Sequence, residues 1–96
     1  MPYMYMLSTT NNKVLYVGST TDLSRRAFEH QGNFAFKSFT ARYRVYKLVY
    51  YEYCDLLVDA RAREWQVKKW NRAWKERLID KLNPGWDDLS HLEMFR

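Results

Sequence analysis

Five polar side chains in this sequence occupy positions where its hydrophobic pattern predicts inward-facing or half-buried surfaces. They are two tyrosines on predicted strands, an arginine and a histidine on one predicted helix and a glutamate on another: Tyr5, Tyr16, Arg26, His30 and Glu64. A single carboxylate can hold a hard divalent cation, a guanidinium suits a phosphate, and a phenol or an imidazole can accept a proton from water. Such groups are suited to the hydrolysis of a phosphodiester bond.

The residue counts exclude several other chemistries. Cys54 is the only cysteine and there are 2 histidines, so neither a disulfide framework nor a zinc site of cysteine and histidine type can form within the chain. The 3 glycines are too few for a phosphate-binding glycine loop, and neither Ser19 nor Ser24 has an evident histidine–aspartate partnership. On periodicity alone a structural alternative stays open, in which Arg26 and Glu64 form a buried ion pair bordered by core tyrosines.

The two tyrosines are predicted to lie on neighbouring strands of an antiparallel hairpin. Residues 3–7 and 14–18 are short apolar runs rich in tyrosine and valine, and a polar turn separates them. If the hairpin closes about residues 10–11, Tyr5 and Tyr16 lie directly opposite each other. A patch of two phenols would then lie beside the end of the second strand.

The arginine and the histidine are predicted to share a face of the first helix. Thr21 or Asp22 can cap the N-terminus of that helix, and Arg26 and His30 are spaced so that they project from the same side. The neighbouring Arg25 points elsewhere and is predicted to be solvated.

The glutamate is predicted to lie on the core-facing stripe of the longest periodic segment. This segment runs from about residue 56 to residue 82 and follows a third predicted strand at 47–54. Glu64 and Asn71 stand on the stripe where apolar residues are expected, and a carboxylate there is costly unless a cation or several donors meet it. The apolar members of the stripe are Ala60, Val67, Trp74 and Leu78.

The composition favours an anionic partner. The length of 96 residues predicts one domain spanning 1–96, and 16 Lys and Arg against 11 Asp and Glu give a net charge of +5. Nucleic acid is the commonest partner of such a basic surface. The N-terminus lacks a basic leader and its apolar run is too short to span a bilayer, so we expect a cytoplasmic protein that does not enter membranes.

Five short motifs, in their order along the chain, resemble the GIY-YIG nuclease domain. They are YMY at 3–5, YVG at 16–18, RRAFEH at 25–30, RARE at 61–64 and NPGW at 83–86. The resemblance covers essentially the whole chain and is best to the small stand-alone bacterial members related to the excinuclease subunit and to intron-homing endonucleases. YMY departs from the eponymous GIY, of which only the last tyrosine is kept.

The resemblance implies an α+β fold in which a three-stranded antiparallel sheet is flanked by helices. It also implies Mg²⁺- or Mn²⁺-dependent cleavage of DNA. We expect low sequence specificity, because nothing in the sequence resembles a helix that reads base edges in the major groove, and a role in DNA repair or recombination. Contacts to DNA are expected to be mainly to phosphates. The residues expected to make them are Gly18, where the backbone would approach a phosphate closely, and Lys37, Thr40, Arg42, Lys68, Lys69 and Arg72.

The resemblance also implies roles for individual residues. Glu64 would bind the metal ion, and Arg26 would neutralise the scissile phosphate in the transition state. A tyrosine would accept a proton from the attacking water, and we favour Tyr16 for this step with Tyr5 as the neighbour that orients it. The remaining matches are to a polar site position and to a C-terminal asparagine of some members: His30 and Asn83.

Two alternatives to an enzyme stay open. A nucleic-acid-binding module without catalysis would keep the same scaffold and use Trp65 and Trp70 for stacking beside a basic helix face. Against such stacking, tryptophans at helical spacing are usually core residues. A structural partner protein would show neither metal binding nor salt-sensitive affinity for DNA.

Overall fold

Three strands form one antiparallel sheet in the computed structural model, which describes residues 1–26, 44–45 and 47–92. The central strand is β1 (Tyr3–Ser8), and its neighbours are β2 (Leu15–Thr20) and β3 (Lys47–Tyr53). Both neighbours pair with β1 in the antiparallel sense.

Two helices pack against one face of this sheet. Helix α1 (Leu57–Lys68) contacts β2 and β1, and helix α2 (Arg72–Leu82) contacts β3. A helical turn at residues 23–26 follows β2, and a 3₁₀ turn (Leu89–His91) contacts β3. The predicted α+β fold, a three-stranded antiparallel sheet flanked by helices, is confirmed. In the described part of the chain no helix is long and apolar enough to cross a membrane.

The central strand is buried on both faces, because its side chains alternate between two hydrophobic clusters. The cluster on the side of the two helices contains Met4, Met6, Val17, Val49, Val67 and Ile79. The cluster on the opposite side contains Tyr5, Leu7, Leu23, Val45 and Leu48. Tyr5 therefore lies on the face of the sheet that α1 does not cover.

The register of the hairpin differs by two residues from the predicted one. Tyr5 lies opposite Gly18, and Leu7 lies opposite Tyr16. The prediction that the two tyrosines pair directly is therefore wrong. Because side chains alternate with a period of two, a shift of two residues still leaves both tyrosines on the same face of the sheet.

The chemistry of the turn explains this shift. The Thr9 amide donates to the carbonyl of Val14 at 3.2 Å, and the Thr9 hydroxyl accepts from the amides of Lys13 and Val14 at 3.1 and 3.2 Å. Asn12 adopts a φ of 61°, which asparagine tolerates better than most residues. The hairpin therefore closes at Thr9 and Val14 rather than about residues 10–11.

The periodic segment predicted from residue 56 to residue 82 is two helices. Asn71 caps the second helix, since its side chain accepts a hydrogen bond from the Trp74 amide at 3.0 Å. The prediction that Asn71 is a polar residue on a core-facing stripe is therefore wrong. The break also resets the helix phase, so that Trp74 is 50% exposed and Ile79 takes the buried position.

Asn83 ties the end of α2 to the sheet. It is buried, and its side-chain amide donates to the carbonyls of Val49 and Asp87 at 3.0 and 2.8 Å. Its side-chain oxygen accepts from the Asp87 amide at 3.1 Å. These three bonds hold the turn after α2 against β3, which is separated from β2 by the central strand.

We expect Asn83→Ala to lower the free energy of unfolding by about 2–3 kcal/mol, because it leaves buried backbone groups without partners. Asn71→Ala removes an exposed helix cap and should lower it by only about 1 kcal/mol. Urea denaturation followed by circular dichroism measures both variants. A stability of Asn83→Ala equal to that of the wild type would contradict the structural role of this side chain.

Candidate active site

The phenol of Tyr5 occupies the space that a side chain at position 18 would fill. A Cβ atom placed on Gly18 would lie 2.7 Å from Tyr5 Oη, 2.8 Å from Tyr5 Cζ and 3.0 Å from Tyr16 Cε1. The φ angle of Gly18 is not positive, so the requirement for glycine is steric. In the structure Gly18 makes room for a tyrosine, and its predicted contact with a phosphate stays a prediction.

Tyr5 and Tyr16 form a pair whose two members differ in accessibility. Their ring centroids are 6.3 Å apart and their planes are tilted by 48°. Tyr5 is 1% exposed, and Tyr16 is partly exposed. The pKa of Tyr5 is raised above its ordinary value, first by burial and then by the neighbouring Tyr16, with which it also forms a hydrogen bond. Tyr5 therefore keeps its proton, and Tyr16 is the phenol that a substrate can reach.

Two opposite charges act on the Tyr5 hydroxyl. Beyond the effects of burial and Tyr16, the Arg26 guanidinium lowers the pKa of Tyr5 and the Glu64 carboxylate raises it, so both charges lie within electrostatic reach of this group. Arg26 is partly buried and Arg25 is exposed, as the predicted helix phase requires. The Asp22 side chain caps the helical turn by accepting from the Arg25 amide at 3.1 Å, which confirms one of the two predicted caps.

A polar cavity of about 290 Å³ opens beside this helical turn. Its lining residues are Thr20, Thr21, Asp22, Arg25 and Arg26. The cavity gives an anionic ligand access to the side chains of Arg25 and Arg26, while the Asp22 carboxylate already occupies the N-terminus of the turn.

Glu64 reaches β2 from the side of α1. Its Oε1 accepts a hydrogen bond from the Ser19 hydroxyl at 2.5 Å, and its Oε2 accepts from the Lys68 ammonium at 2.5 Å. The side chain is 18% exposed, so the carboxylate is only partly withdrawn from water. Sequence reasoning missed Ser19, for which the one available signal was its position directly after Gly18.

The site is assembled across the sheet at β2, which is an outer strand of the described sheet. Tyr5 and Tyr16 belong to the cluster on the face opposite α1. Ser19 alternates with them and points to the face on which α1 lies, where it meets Glu64. The carboxylate and the phenols therefore approach each other from opposite faces of one strand.

The Glu64 carboxylate fits a hard divalent cation. Mg²⁺ prefers oxygen ligands and is often held by one carboxylate while it keeps several waters, and Mn²⁺ accepts similar donors. Among the described residues no group of three or more His, Cys, Asp or Glu side chains could hold a metal ion. A cation held by Glu64 would therefore need water and substrate oxygens to complete its coordination. The Lys68 ammonium occupies the place of a cation on Oε2.

All three of the predicted phosphate contacts on and after α1 are engaged within the protein, and Lys68 pairs with Glu64 as described above. Lys69 Nζ lies 4.0 Å from the centroid of the Trp65 ring. Arg72 pairs with Glu76 at 2.8 Å and donates to the carbonyl of Lys13 at 2.6 Å. Contact of these three residues with DNA stays a prediction.

Asn83 is not brought to the tyrosine pair. Its side chain binds β3 and the turn after α2, and the structure therefore gives it a role in stability. Four further predicted site residues lie outside the described residues: His30, Lys37, Thr40 and Arg42.

We expect Gly18→Ala to lower the free energy of unfolding by about 1–3 kcal/mol, because the added methyl group overlaps the buried Tyr5 ring. Gly85→Ala is the matched control, since a Cβ there would meet the exposed carboxylate of Asp87 at 3.1 Å and that side chain can move. Urea denaturation compares the two variants. Equal losses would contradict the steric role of Gly18.

Comparison with known proteins agrees with the fold and with the resemblance of the motifs. Residues 1–77 match the family described as the GIY-YIG catalytic domain. A UPF0213 protein of Syntrophus aciditrophicus is 39% identical over 82 residues, which cover 85% of this chain and 92% of that protein. The UPF0213 protein YhbQ of Escherichia coli O8 is 34% identical over 77 residues, covering 80% of this chain and 75% of YhbQ.

A solved structure is similar over nearly the whole chain. The solution NMR structure of the UPF0213 protein BH0048 from Bacillus halodurans aligns with a TM-score of 0.56 and 28% identity, covering 97% of this chain and 98% of that one. Together with the family match over residues 1–77, this likeness leads to one conclusion. The chain belongs to the GIY-YIG catalytic domain family.

Proposed function

We propose that this protein is a DNA endonuclease that hydrolyses phosphodiester bonds with the help of Mg²⁺ or Mn²⁺. The observation that carries the proposal is that the charges of the Arg26 guanidinium and the Glu64 carboxylate both act on the hydroxyl of Tyr5, which is hydrogen-bonded with a second phenol. A purely structural ion pair between Arg26 and Glu64 does not account for it, since among the ion pairs of the described residues Glu64 pairs with Lys68. Membership of a nuclease family supports the same function.

Arg26 binds the scissile phosphate in this proposal. Its side chain lines the polar cavity after β2, and the capped helical turn holds it in place before the substrate arrives. A charge positioned in advance stabilises the negative charge that develops on the phosphate oxygens. The net charge of +5 favours contacts to phosphates elsewhere on the DNA, and such contacts carry little sequence information.

Tyr16 accepts the proton of the attacking water. The water oxygen forms a bond to phosphorus while one of its protons passes to the Tyr16 oxygen, which must be deprotonated beforehand. The bond from phosphorus to the 3′ oxygen breaks, and the 3′ oxygen keeps the electron pair and takes a proton from solvent. Tyr5 is unsuited to this step, because burial raises its pKa and it keeps its proton. Its hydrogen bond with Tyr16 instead orients the base.

Glu64 holds the divalent cation. The Ser19 hydroxyl orients the carboxylate through its 2.5 Å hydrogen bond. When bound, the cation would supply Lewis-acid stabilisation of charge on the phosphate oxygens. The Lys68 ammonium must leave Oε2 for this, and its side chain, which is 47% exposed, can turn into solvent.

A nucleic-acid-binding module without catalysis is the second candidate. The exposure of Trp65, at 66%, favours it, because a tryptophan at helical spacing was expected to be a core residue. This candidate requires no cation at Glu64. It is therefore separated from the first by a cleavage assay.

We expect Glu64→Gln to abolish metal-dependent nicking of supercoiled plasmid while the fold persists, because the amide keeps the shape of the carboxylate and removes its charge. Glu76→Gln is the control, since it removes a charge of the same sign from an exposed ion pair on α2. Agarose gels with and without Mg²⁺ or Mn²⁺ measure the nicking. Undiminished nicking by folded Glu64→Gln would contradict the role of Glu64. A wild-type protein that binds DNA but cleaves no duplex, branched or single-stranded substrate would favour the second candidate.

We expect the two adjacent arginines to differ in their contribution to the rate. Arg26→Ala should lose about 10²–10³ in the rate of the chemical step, which is the usual effect of removing a preorganised charge stabiliser. Arg25 lines the same cavity but is exposed, so water screens its charge, and Arg25→Ala should lose much less. Single-turnover cleavage measures both rates, and equal losses would show that Arg26 has no special place in the reaction.

We expect Lys68→Met to tighten the binding of Mn²⁺ by about two- to fivefold. A partly exposed ion pair is worth about 0.5–1 kcal/mol, and without it the cation meets no competitor on Oε2. Lys69→Met changes the net charge equally one residue away, where the ammonium lies over Trp65. Titration of Mn²⁺ by electron paramagnetic resonance measures the affinities. Weaker binding by Lys68→Met would mean that this lysine positions Glu64 instead of competing for it.

A further inference from the structure

The outer face of α1 carries a groove that the proposed reaction does not use. The groove has a volume of about 730 Å³ and an apolar floor with cationic side chains at its rim. Its lining residues are Val58, Arg61, Ala62, Trp65, Gln66, Lys69 and Trp70, and we call it the indole groove. It lies on the side of α1 that points away from the sheet, because Ala60 and Val67 are the buried residues of this helix.

Trp65 is the accessible platform of the indole groove. It is 66% exposed although the Lys69 ammonium lies 4.0 Å from its ring centroid. A tryptophan buries more apolar surface than almost any other side chain, and leaving it in water forgoes that stabilisation. Its position is therefore not explained by packing within the described fold.

Trp70 is the fixed wall of the indole groove. Its ring packs edge-on against Trp74 with centroids 6.0 Å apart, and the Arg63 guanidinium lies 5.1 Å from its centroid. Arg63 is itself held by an ion pair with Glu52 at 2.8 Å. One indole is thus held rigidly and the other is open to a ligand.

The chemistry of the lining selects a ligand with flat apolar faces and negative charge. Arg61 and Lys69 supply two positive charges, and no acidic residue is among the described residues that line the groove. A nucleotide combines a base that stacks on indole with a phosphate that pairs with a cation. An apolar protein segment would leave both cations without a counter-charge.

We propose that the indole groove binds unpaired bases of a single-stranded nucleic acid. The inference rests on the proposed function and deepens it, since it names the form of the strand that the nuclease holds. Bases in a duplex already stack on one another, so an indole on a helix surface reaches their faces only where the strand is unpaired. Trp65 directly follows Glu64 in α1, so the groove begins about 100° around the helix axis from the proposed catalytic carboxylate.

The test measures the affinity of the full chain for labelled oligothymidylate by fluorescence anisotropy in the presence of EDTA. Trp65→Ala should weaken binding by at least about fivefold, the effect of losing one stacked base, and Trp65→Tyr should restore most of it. Tyr53→Ala is the matched control, because it removes an aromatic side chain that is 51% exposed on β3. An abasic oligomer of the same length keeps the phosphates, and wild type and Trp65→Ala should bind it equally.

Three outcomes would overturn the inference. If wild type and Trp65→Ala bind oligothymidylate with equal affinity, bases do not stack on Trp65. The same conclusion follows if the substitution weakens binding of the abasic oligomer as much as it weakens binding of oligothymidylate. A wild-type dimer in light scattering that Trp65→Ala converts to a monomer would assign the groove to a second copy of the chain. Binding is measured without metal, so this test can be read even if the protein does not cleave DNA. If the protein cleaves DNA but Trp65→Ala does not weaken binding, the inference about the groove is wrong and the proposed function is not affected.

Discussion

The steric constraint at Gly18 is the feature on which the candidate site depends. With no side chain at this position, the Tyr5 ring can lie across β2, where its hydroxyl meets Tyr16. The charges of Arg26 and Glu64 act on the same hydroxyl. A single methyl group at position 18 would overlap the Tyr5 ring. The ring would have to move, and its hydroxyl would move away from Tyr16 and from the two charges.

The candidate site also depends on the sheet, because its side chains come from both faces of the sheet. The central strand is buried on both faces, so the hydrophobic clusters hold α1 on one side and the helical turn after β2 on the other. Glu64 reaches the site from the face of the sheet that α1 covers, and Arg26 reaches it from the opposite face. The unfavourable withdrawal of the Glu64 carboxylate from water is offset by a hydroxyl donor from Ser19 and an ammonium from Lys68. A divalent cation that replaced the ammonium would meet a carboxylate already aligned by Ser19.

The sequence predicted the strands and the face of each tyrosine well, because alternation of side chains in a strand is a local property. It failed on the hairpin register, since register depends on how Thr9 and Asn12 close the turn, and polar turn residues offer several ways to do so. Asn71 was misread for a related reason. A polar residue inside a periodic segment is either a misplaced group or a cap, and only the structure distinguishes the two.

Four candidate site residues were predicted from pattern and resemblance, namely Tyr5, Tyr16, Arg26 and Glu64. In the structure the last three act on the hydroxyl of the first, and their roles in a reaction stay predictions. The steric role of Gly18 was not predicted, because a glycine in a strand shows where space is needed but not what fills it. Ser19 carries no distinguishing pattern in a strand of mixed polarity. The exposure of Trp65 was also unexpected, since helical spacing alone does not tell an outer face from an inner one once the helix breaks at Asn71.

Carbon-13 NMR of tyrosines labelled at Cζ tests most directly whether the Tyr5 hydroxyl is buried and whether the charges of Arg26 and Glu64 both act on it, because it measures the pKa of Tyr5. We predict that Tyr5 stays protonated at a pH where the exposed tyrosines have ionised, because burial raises its pKa. We also predict that Glu64→Gln lowers the pKa of Tyr5 and that Arg26→Met raises it, since each substitution removes one of the two opposing charges. If Tyr5 titrates with the exposed tyrosines and neither substitution shifts its pKa, the two charges do not act on this hydroxyl and the candidate site described for this protein is wrong.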